Sequence, residues 1–456
     1  MKKLFEEFNP KTLKDWNDRV IADLKGASFE SLIWNHSENI KIDPIYHRES
    51  SPNKECGLIF EHSDWEIEQT LNTPNNKKVL ACLNSGATAL LLKNISSEDL
   101  DTVLENVWFQ HIQTSFITDS PNRLLSNFIS LIKKRDLDVK SIQGSLHYDP
   151  LMKGLKSGAF ENKLWEKFES IREKIDSLAS YKSLAIQGHE YSDAGASITQ
   201  ELAFTSAQLS EYFAKSPKLN PQNIQISMGV STHYFFEIAK YRALRILWTQ
   251  LLKAYNKEYV TLSVRAQSSL RTTTLYDPHT NMLRNTSQCM SAAIGGANTI
   301  NINSFNTLHA KEDDFGQRMS RNISLILKEE AHFNKVSDPS AGSYYIEHLT
   351  HKLSENAWKL FQEIEAKGGW LENVKTNVIQ KMIQENAEQQ EKDLHTGAKV
   401  LLGTNLYPND QEKWDSKSVS TPSTNRKTEK DFKALNTYRL SEQMELQRQS
   451  KEENHA

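Results

Sequence analysis

The chain has 456 residues, of which 38% are hydrophobic and 25% are charged, and its formal net charge at pH 7 is only −3. This balance excludes a dedicated nucleic-acid or membrane-surface binder, because such proteins carry a strong excess of basic residues. The length provides for about two or three domains, or for one large α/β barrel with additional segments.

The N-terminal sequence MKKLFEEFNPKTLKDW has acidic residues and Asn where a signal peptide has an apolar core, and no apolar run reaches the length of a membrane span. Cys56, Cys82 and Cys289 are far apart in sequence, so we expect neither a disulfide framework nor a zinc site with sulfur ligands. These features predict a cytoplasmic protein.

Short apolar runs alternate with longer segments of helical period along the chain. The runs that predict strands are VLACL (79–83), TALLL (88–92), SIQGSL (141–146), SLAIQG (183–188), IQISMGV (224–230), VTLSVRAQ (260–267) and TININSF (299–305). The clearest helix is the segment 233–255, in which apolar residues recur at i, i+3 and i+4. Because parallel strands need helical crossovers, this alternation predicts an α/β fold, and so many units fit a (β/α)8 barrel of the TIM type better than an open sheet.

The composition changes near Pro408, and the sequence from there to Asn436 is almost entirely polar. Such a segment buries too little apolar surface to offset the entropy that is lost on ordering. We therefore divide the chain into an N-terminal arm and subunit-interface segment (1–75), the barrel (76–407) and a polar linker or tail (408–456).

Polar residues follow the strand SLAIQ, at the end where the functional groups of such barrels cluster. Gln187 and Gly188 are followed there by His189 and Glu190. One interpretation is a general acid or base, or a hydrogen bond from the histidine to a substrate carbonyl. The alternative is a solvent-exposed loop in which Asp193 caps the next helix.

The strand VTLSVRAQ also ends in polar residues, with Arg265 and Gln267 followed by Arg271. An arginine at this position either contacts an anion through its planar fork or forms a structural salt bridge within the barrel. Asp277-x-His279 begins the D-x-H-x-x-G pattern of some cobalamin proteins, but Met282 stands at the glycine position, which indicates a turn instead. No H-E-x-x-H or comparable ligand spacing occurs, so we expect no metal site.

Several long segments resemble the methylmalonyl-CoA mutase family. The segment DPHTNMLRNTSQCMSAAIGGANTININSFN (277–306) is similar to the family's DPYNNxxRTTxxAxAAxxGGxxSxxxNSFDE. Segments 39–46, 186–205, 226–248 and 314–350 match further family elements in the same order. The resemblance implies a (β/α)8 barrel that encloses an acyl-CoA, faces an adenosylcobalamin on a separate C-terminal domain, and interconverts methylmalonyl-CoA and succinyl-CoA by radical chemistry.

The sequence departs from the catalytic members of this family at four places. It stops after a segment that resembles the approach to the cobalamin domain, so we expect no such domain. The family's Gly-Tyr-His becomes Gly188-His189-Glu190, which replaces the histidine at the thioester carbonyl by a repelling carboxylate. The family's R-T-H-C-Q-T-S-G loses its His and Gln at 265–272, and its tyrosine-bearing substrate segment has no counterpart between 48 and 68.

These departures resemble the small (β) subunit of heterodimeric mutases, in which a homologous large (α) subunit holds substrate and adenosylcobalamin. The resemblance implies a non-catalytic chain of propionate metabolism that binds no cofactor itself and whose tail is ordered along the partner. The resemblance is also compatible with vestigial binding of an acyl-CoA by this chain. The expected degenerate pocket comprises Gln187, His189, Glu190, Arg265, Gln267 and Arg271.

Two alternatives remain beside the subunit hypothesis. One is a free-standing barrel enzyme that uses His189, Glu190, Arg265 and Arg271 for non-radical acyl-CoA chemistry. The other is a scaffold without a ligand pocket.

Overall fold

A computed structural model describes residues 8–50, 59–309, 313–413 and 430–454. Its strands are β1 (Trp34–His36), β2 (Ile40–Ile42), β3 (Glu66–Leu71), β4 (Ala89–Lys93), β5 (Gln113–Ile117), β6 (Gly144–Ser145), β7 (Tyr181–Lys182), β8 (Leu184–Gln187), β9 (Ile224–Val230), β10 (Ser263–Ser268) and β11 (Thr299–Asn301). Its helices are α1 (Leu13–Asp23), α2 (Asn76–Asn84), α3 (Leu100–Val103), α4 (Pro121–Lys134), α5 (Pro150–Ser157), α6 (Leu164–Ile175), α7 (His189–Asp193), α8 (Ile198–Lys215), α9 (Tyr234–Ala254), α10 (Thr280–Ile294), α11 (Asp314–Leu325), α12 (Tyr344–Ala366), α13 (Gly369–Lys375), α14 (Val378–Thr396) and α15 (Glu442–Asn454).

The strands close into a ring. Seven of them form a parallel sheet in the order β5-β4-β3-β11-β10-β9-β8. The short strand β6 pairs in parallel with β7, which leads directly into β8, and a bridge between Phe116 and Leu146 joins β6 to β5. Counting β7 and β8 as one strand, the described residues form an eight-stranded parallel barrel, and the predicted TIM-type (β/α)8 fold is confirmed.

Closure of the ring depends on a glycine at the start of β6. Gly144 has a φ of +138°. A Cβ atom at this position would lie 2.1 Å from the carbonyl oxygen of Thr114 on β5. Only glycine lets the two backbones approach so closely in this conformation.

The interior of the barrel is polar, whereas the apolar core lies between the ring and the helices around it. Side chains that alternate along each strand point in opposite directions. Those that face the helices include Leu90, Leu92, Phe116, Ile226 and Val264, all buried in the main hydrophobic cluster. The buried polar side chains of the same strands include Glu68, Ser115, Ser145, Gln225, Ser227, Arg265 and Thr299. A more typical barrel of this kind is filled by branched apolar side chains.

Most of the predicted strands are present, but β3 and β5 of the seven-stranded sheet and the short strands β1, β2 and β7 were not predicted, and one prediction is wrong. TALLL, SLAIQG and IQISMGV correspond to β4, β8 and β9, while SIQGSL, VTLSVRAQ and TININSF contain the shorter or shifted β6, β10 and β11. VLACL lies instead in α2, where the Asn75 side chain accepts a hydrogen bond from the Lys78 amide and caps the helix. β3 and β5 were missed because their inward residues are polar. β3 lies within the ring, so the barrel includes residues before the predicted boundary at 76.

The end of the predicted tail packs against this chain's own barrel. Phe432 and Leu435 are buried in the main hydrophobic cluster, and Leu440 is buried against Leu394 and Leu401. These residues of the tail therefore bury their apolar side chains without a partner, and ordering along a partner stays a prediction; residues 414–429 lie outside the described ranges. A few apolar side chains are enough to hold this polar segment on the barrel, because each of them is buried against apolar residues of the folded chain.

Within the described ranges, no helix combines the length and the apolar character that crossing a membrane requires.

Candidate functional site at the barrel mouth

The carboxyl ends of the strands surround a cavity of about 500 Å³. Its lining includes Thr70 of β3, Lys93 of β4, His189 after β8, Gln267 of β10 and Asn301 of β11. This is the end of the ring at which barrel enzymes carry their functional groups. Among the described residues, no three His, Cys, Asp or Glu side chains come together as a metal-binding group.

An ion pair between Arg265 and Glu68, which we call the floor, lies beneath the cavity and contacts its lining through Gln267. The Arg265 Nε and Nη2 atoms donate to Glu68 Oε1 at 2.8 and 2.5 Å, and Nη1 donates to Ser227 Oγ at 2.9 Å. Nη2 also donates to Gln267 Oε1 at 2.8 Å, and Gln267 Nε2 donates to Asn303 Oδ1 at 3.1 Å. Of the two interpretations of Arg265, the structural salt bridge is the one observed.

One wall of the cavity contains His189 and Glu190. Glu190 forms an ion pair with Lys156 of α5, and its Oε1 atom lies 3.9 Å from His189 Nε2. Burial lowers the pKa of His189 to about 4, so the imidazole is neutral at pH 7. Burial alone raises the pKa of Glu190, but Lys156, His189 and Lys93 together outweigh it and hold that pKa below its ordinary value. The wall therefore presents a neutral imidazole and a paired carboxylate, and neither group titrates near neutral pH.

Arg271 lies outside the mouth cavity and holds the C-terminal strap, which we define as residues 430–441. Its Nη1 atom donates to the carbonyl oxygen of Tyr438 at 3.0 Å, and Nε donates to Gln390 Oε1 of α14 at 3.1 Å. The Leu440 amide donates in return to the Arg271 carbonyl at 2.8 Å. Since Thr437 lines the cavity, the strap forms one side of the mouth.

We expect Arg271→Ala to loosen this strap and to cost about 2–3 kcal/mol of stability, because hydrogen bonds from a buried charged group are lost. Hydrogen–deuterium exchange should show faster exchange in peptides that cover 430–441. Lys381→Ala is the matched control, since that side chain on α14 is 76% exposed and should leave the strap unchanged. Unchanged exchange at 430–441 in Arg271→Ala would show that the arginine does not hold the strap.

Comparison with known proteins gives a consistent family. The sequence model of the methylmalonyl-CoA mutase family matches residues 93–452. The methylmalonyl-CoA mutase small subunit of Porphyromonas gingivalis is 35% identical over 442 residues, covering 89% of this chain and 71% of that protein. This chain belongs to the methylmalonyl-CoA mutase family.

Two more distant mutases agree with this membership. The small subunit from Propionibacterium freudenreichii subsp. shermanii is 29% identical over 404 residues, covering 81% of this chain and 63% of that protein. The methylmalonyl-CoA mutase of Rhizobium meliloti is 27% identical over 456 residues. This match covers 87% of the chain and 64% of the Rhizobium mutase.

In this mutase-family barrel, the six predicted pocket residues occupy different places. His189, Glu190 and Gln267 line the mouth cavity. Arg265 lies beneath it as the floor. Gln187 is not part of the lining. Its backbone amide donates a hydrogen bond to Asp149 Oδ2 at 2.9 Å. Arg271 holds the strap, so the structure brings three of the predicted residues to the cavity and gives the other three structural contacts.

Sequence reasoning missed both lysines of the mouth, Lys93 and Lys156. Lys93 directly follows the buried run TALLL, and a cation at the carboxyl end of a barrel strand is a signal that could have identified it. Lys156 comes from α5, and its approach to Glu190 depends on the packing of that helix, which no local pattern indicates.

Proposed function

We propose that this chain is the small (β) subunit of a heterodimeric, adenosylcobalamin-dependent methylmalonyl-CoA mutase, and that the chain itself is non-catalytic. The observation that carries this proposal is the Glu190–Lys156 ion pair in the mouth, at the position where the catalytic members have a histidine at the thioester carbonyl. Two relatives bear the name small subunit, which supports the same assignment.

The chemistry of this wall supports a non-catalytic role. A catalytic group at the thioester must donate a hydrogen bond or positive charge to the carbonyl oxygen. Glu190 is ionised and paired with Lys156, so it repels electron density on that oxygen. The neighbouring His189 is neutral at pH 7 and carries no charge to replace it.

Hydrogen bonds inside the barrel also support this role. Ser145 Oγ donates to Gln225 Oε1 at 3.2 Å within the ring, and Ser227 receives the hydrogen bond from Arg265. These side chains are all buried. Paired polar side chains therefore occupy the barrel interior at these positions, which leaves less room there for an acyl-CoA.

Adenosylcobalamin would supply the radical chemistry of such an enzyme. The described residues do not fit this cofactor as its primary holder, because their sheets are only the barrel and the β1–β2 pair. We therefore place the cofactor and the acyl-CoA in a homologous large subunit and assign no reaction step to this chain.

Co-expression with the cobalamin-binding homologue from the same organism tests the proposal. We expect a one-to-one complex that interconverts methylmalonyl-CoA and succinyl-CoA when adenosylcobalamin is added, and no turnover by the isolated chain. If the isolated chain turned over an acyl-CoA, and if Glu190→Ala abolished that turnover, the free-standing enzyme would be the correct assignment. Failure of the two chains to associate would also count against the proposal.

A further inference from the structure

The mouth cavity contains a cation that the proposed function does not use. Lys93 is the last residue of β4, and its side chain lines the cavity. In the register of the sheet, Ala89 lies opposite Glu68 and Leu91 opposite Thr70, so Lys93 continues the inward face one step nearer the mouth. It is half-buried, and the charges of Arg265 and Glu68 act on its ammonium group.

Lys93 lacks a counter-charge among the residues that the structure describes. It donates no hydrogen bond there and pairs with no carboxylate. Glu68 and Glu190 are the carboxylates whose charge acts on it, but Glu68 is paired with Arg265 and Glu190 with Lys156. Burial lowers the pKa of the Lys93 ammonium, as expected for a cation that has lost water without gaining a partner.

The other carboxylates of the cavity are also engaged elsewhere. Asp193 Oδ1 accepts from Ser269 Oγ at 2.7 Å and from the Leu270 amide at 3.0 Å. Asp313 accepts from Asn306 Nδ2 at 2.8 Å and caps α11. Neither forms an ion pair with Lys93, so the positive charge of Lys93 has no anionic partner among the described residues of this polar cavity.

The remaining lining restricts what could supply that anion. Around Lys93 the cavity presents neutral amides and hydroxyls, among them Thr70, Asn72, Gln267 and Asn303. Its volume of about 500 Å³ suits a small molecule. The Arg265–Glu68 pair beneath the cavity is an ion pair of opposite charges, so it supplies no free anion to Lys93.

We propose that the barrel mouth binds a small polar carboxylic acid, with Lys93 as the counter-charge of its carboxylate and the surrounding amides and hydroxyls as partners of its other polar groups. This site goes beyond the proposed subunit role, because it needs neither the partner chain nor a CoA thioester. Lys156 flanks the site but is neutralised by Glu190, so Glu190 limits how strongly the mouth attracts an anion.

Calorimetric titration of the full-length chain with succinate, at pH 7.5 and low ionic strength, tests this site. We expect binding of one succinate per chain, weakened about tenfold or more by Lys93→Gln because the ligand loses its charge partner. Glu190→Gln should change the affinity in the opposite direction, because it frees Lys156 to contact the anion. Lys381→Gln removes a 76% exposed lysine and should leave the affinity unchanged.

Thermal unfolding shows whether the key variant is folded. Without ligand, Lys93→Gln should unfold at a higher temperature than the natural chain, because an unpaired charge is removed from a half-buried position. Succinate should raise the unfolding temperature of the natural chain and leave that of Lys93→Gln nearly unchanged.

Three results would overturn the inference: no succinate binding, equal binding by Lys93→Gln, or tighter binding of succinyl-CoA than of succinate at the same site. The last result would identify a thioester site instead. The titration uses this chain alone, so a failure to bind succinate does not contradict the proposed heterodimer. In the same way, a failure to form the heterodimer does not contradict the succinate site.

Discussion

Arg242→Met is expected to destabilise the fold by about 3–5 kcal/mol, because it leaves two buried carboxylates without a counter-charge. Arg242 of α9 is completely buried and pairs through Nη1 with Asp338 and through Nη2 with Glu347 Oε1 at 2.6 Å. Asp338 precedes α12 and Glu347 lies on it, so one guanidinium holds α9, the preceding loop and α12 together. Denaturant unfolding at pH 7 measures the loss.

Two further variants test whether the charges cause this loss. Arg19→Met breaks an ion pair with Asp23 in which both side chains are more than half exposed, so it should cost at most about 0.5 kcal/mol. Adding Asp338→Asn and Glu347→Gln to Arg242→Met should recover much of the lost stability, since the unpaired charges are then removed. A cost below about 1 kcal/mol for Arg242→Met would contradict the role given to this pair.

Lys240→Met should have an effect of similar size, about 3–5 kcal/mol at pH 8. Its Nζ atom lies 2.9 Å from Glu201 Oε2 and 2.6 Å from Glu237 Oε2, and all three side chains are buried. The same ammonium donates to the carbonyl oxygen of Gly229 at 2.6 Å, at the carboxyl end of β9. Its removal leaves two buried carboxylates without their shared counter-charge.

This cluster also predicts how stability depends on pH. Burial raises the pKa of Glu201 from 4.5 to about 7, since one ammonium cannot fully compensate two buried carboxylates. The folded state therefore keeps a proton that the unfolded state releases, and the contribution of Glu201 to stability falls as the pH rises from about 4.5 to about 7. Glu201→Gln should flatten the profile in this window.

Urea unfolding at pH 5 and pH 8 checks both parts of this prediction. Lys240→Met should lose more stability at pH 8 than at pH 5, because the two carboxylates can take up protons at the lower pH. Equal losses at the two pH values would show that the carboxylates do not depend on the ammonium.

The barrel could be predicted from the sequence wherever the strands are apolar on both sides or carry one apolar face. TALLL and IQISMGV were recognised for this reason. β3, with the sequence EIEQTL, was not recognised because its inward residues contact a polar interior. The run VLACL was misassigned because a short apolar run has the same appearance on a helix that buries Val79 and Cys82 on one face.

The candidate site was predictable only in part. The pattern at the strand ends identified His189, Glu190 and Gln267, because functional side chains in barrels follow the strands. The spacing of residues in the sequence could not predict which partner each charged side chain contacts. Arg265 meets Glu68 across 197 positions of the chain, and Arg271 meets the carbonyl of Tyr438 across 167.

By itself, the sequence determined the barrel class and the family, because the alternation of strands with crossover helices and the long ordered motifs are properties of the chain read from one end to the other. Only the tertiary structure decided which of the described charges at the mouth are paired and which are not. Closing the ring brings Glu68 to Arg265 and α5 brings Lys156 to Glu190, while Lys93 receives no partner among the described residues. Pairing depends on distances between residues that are remote in sequence, and folding alone sets those distances.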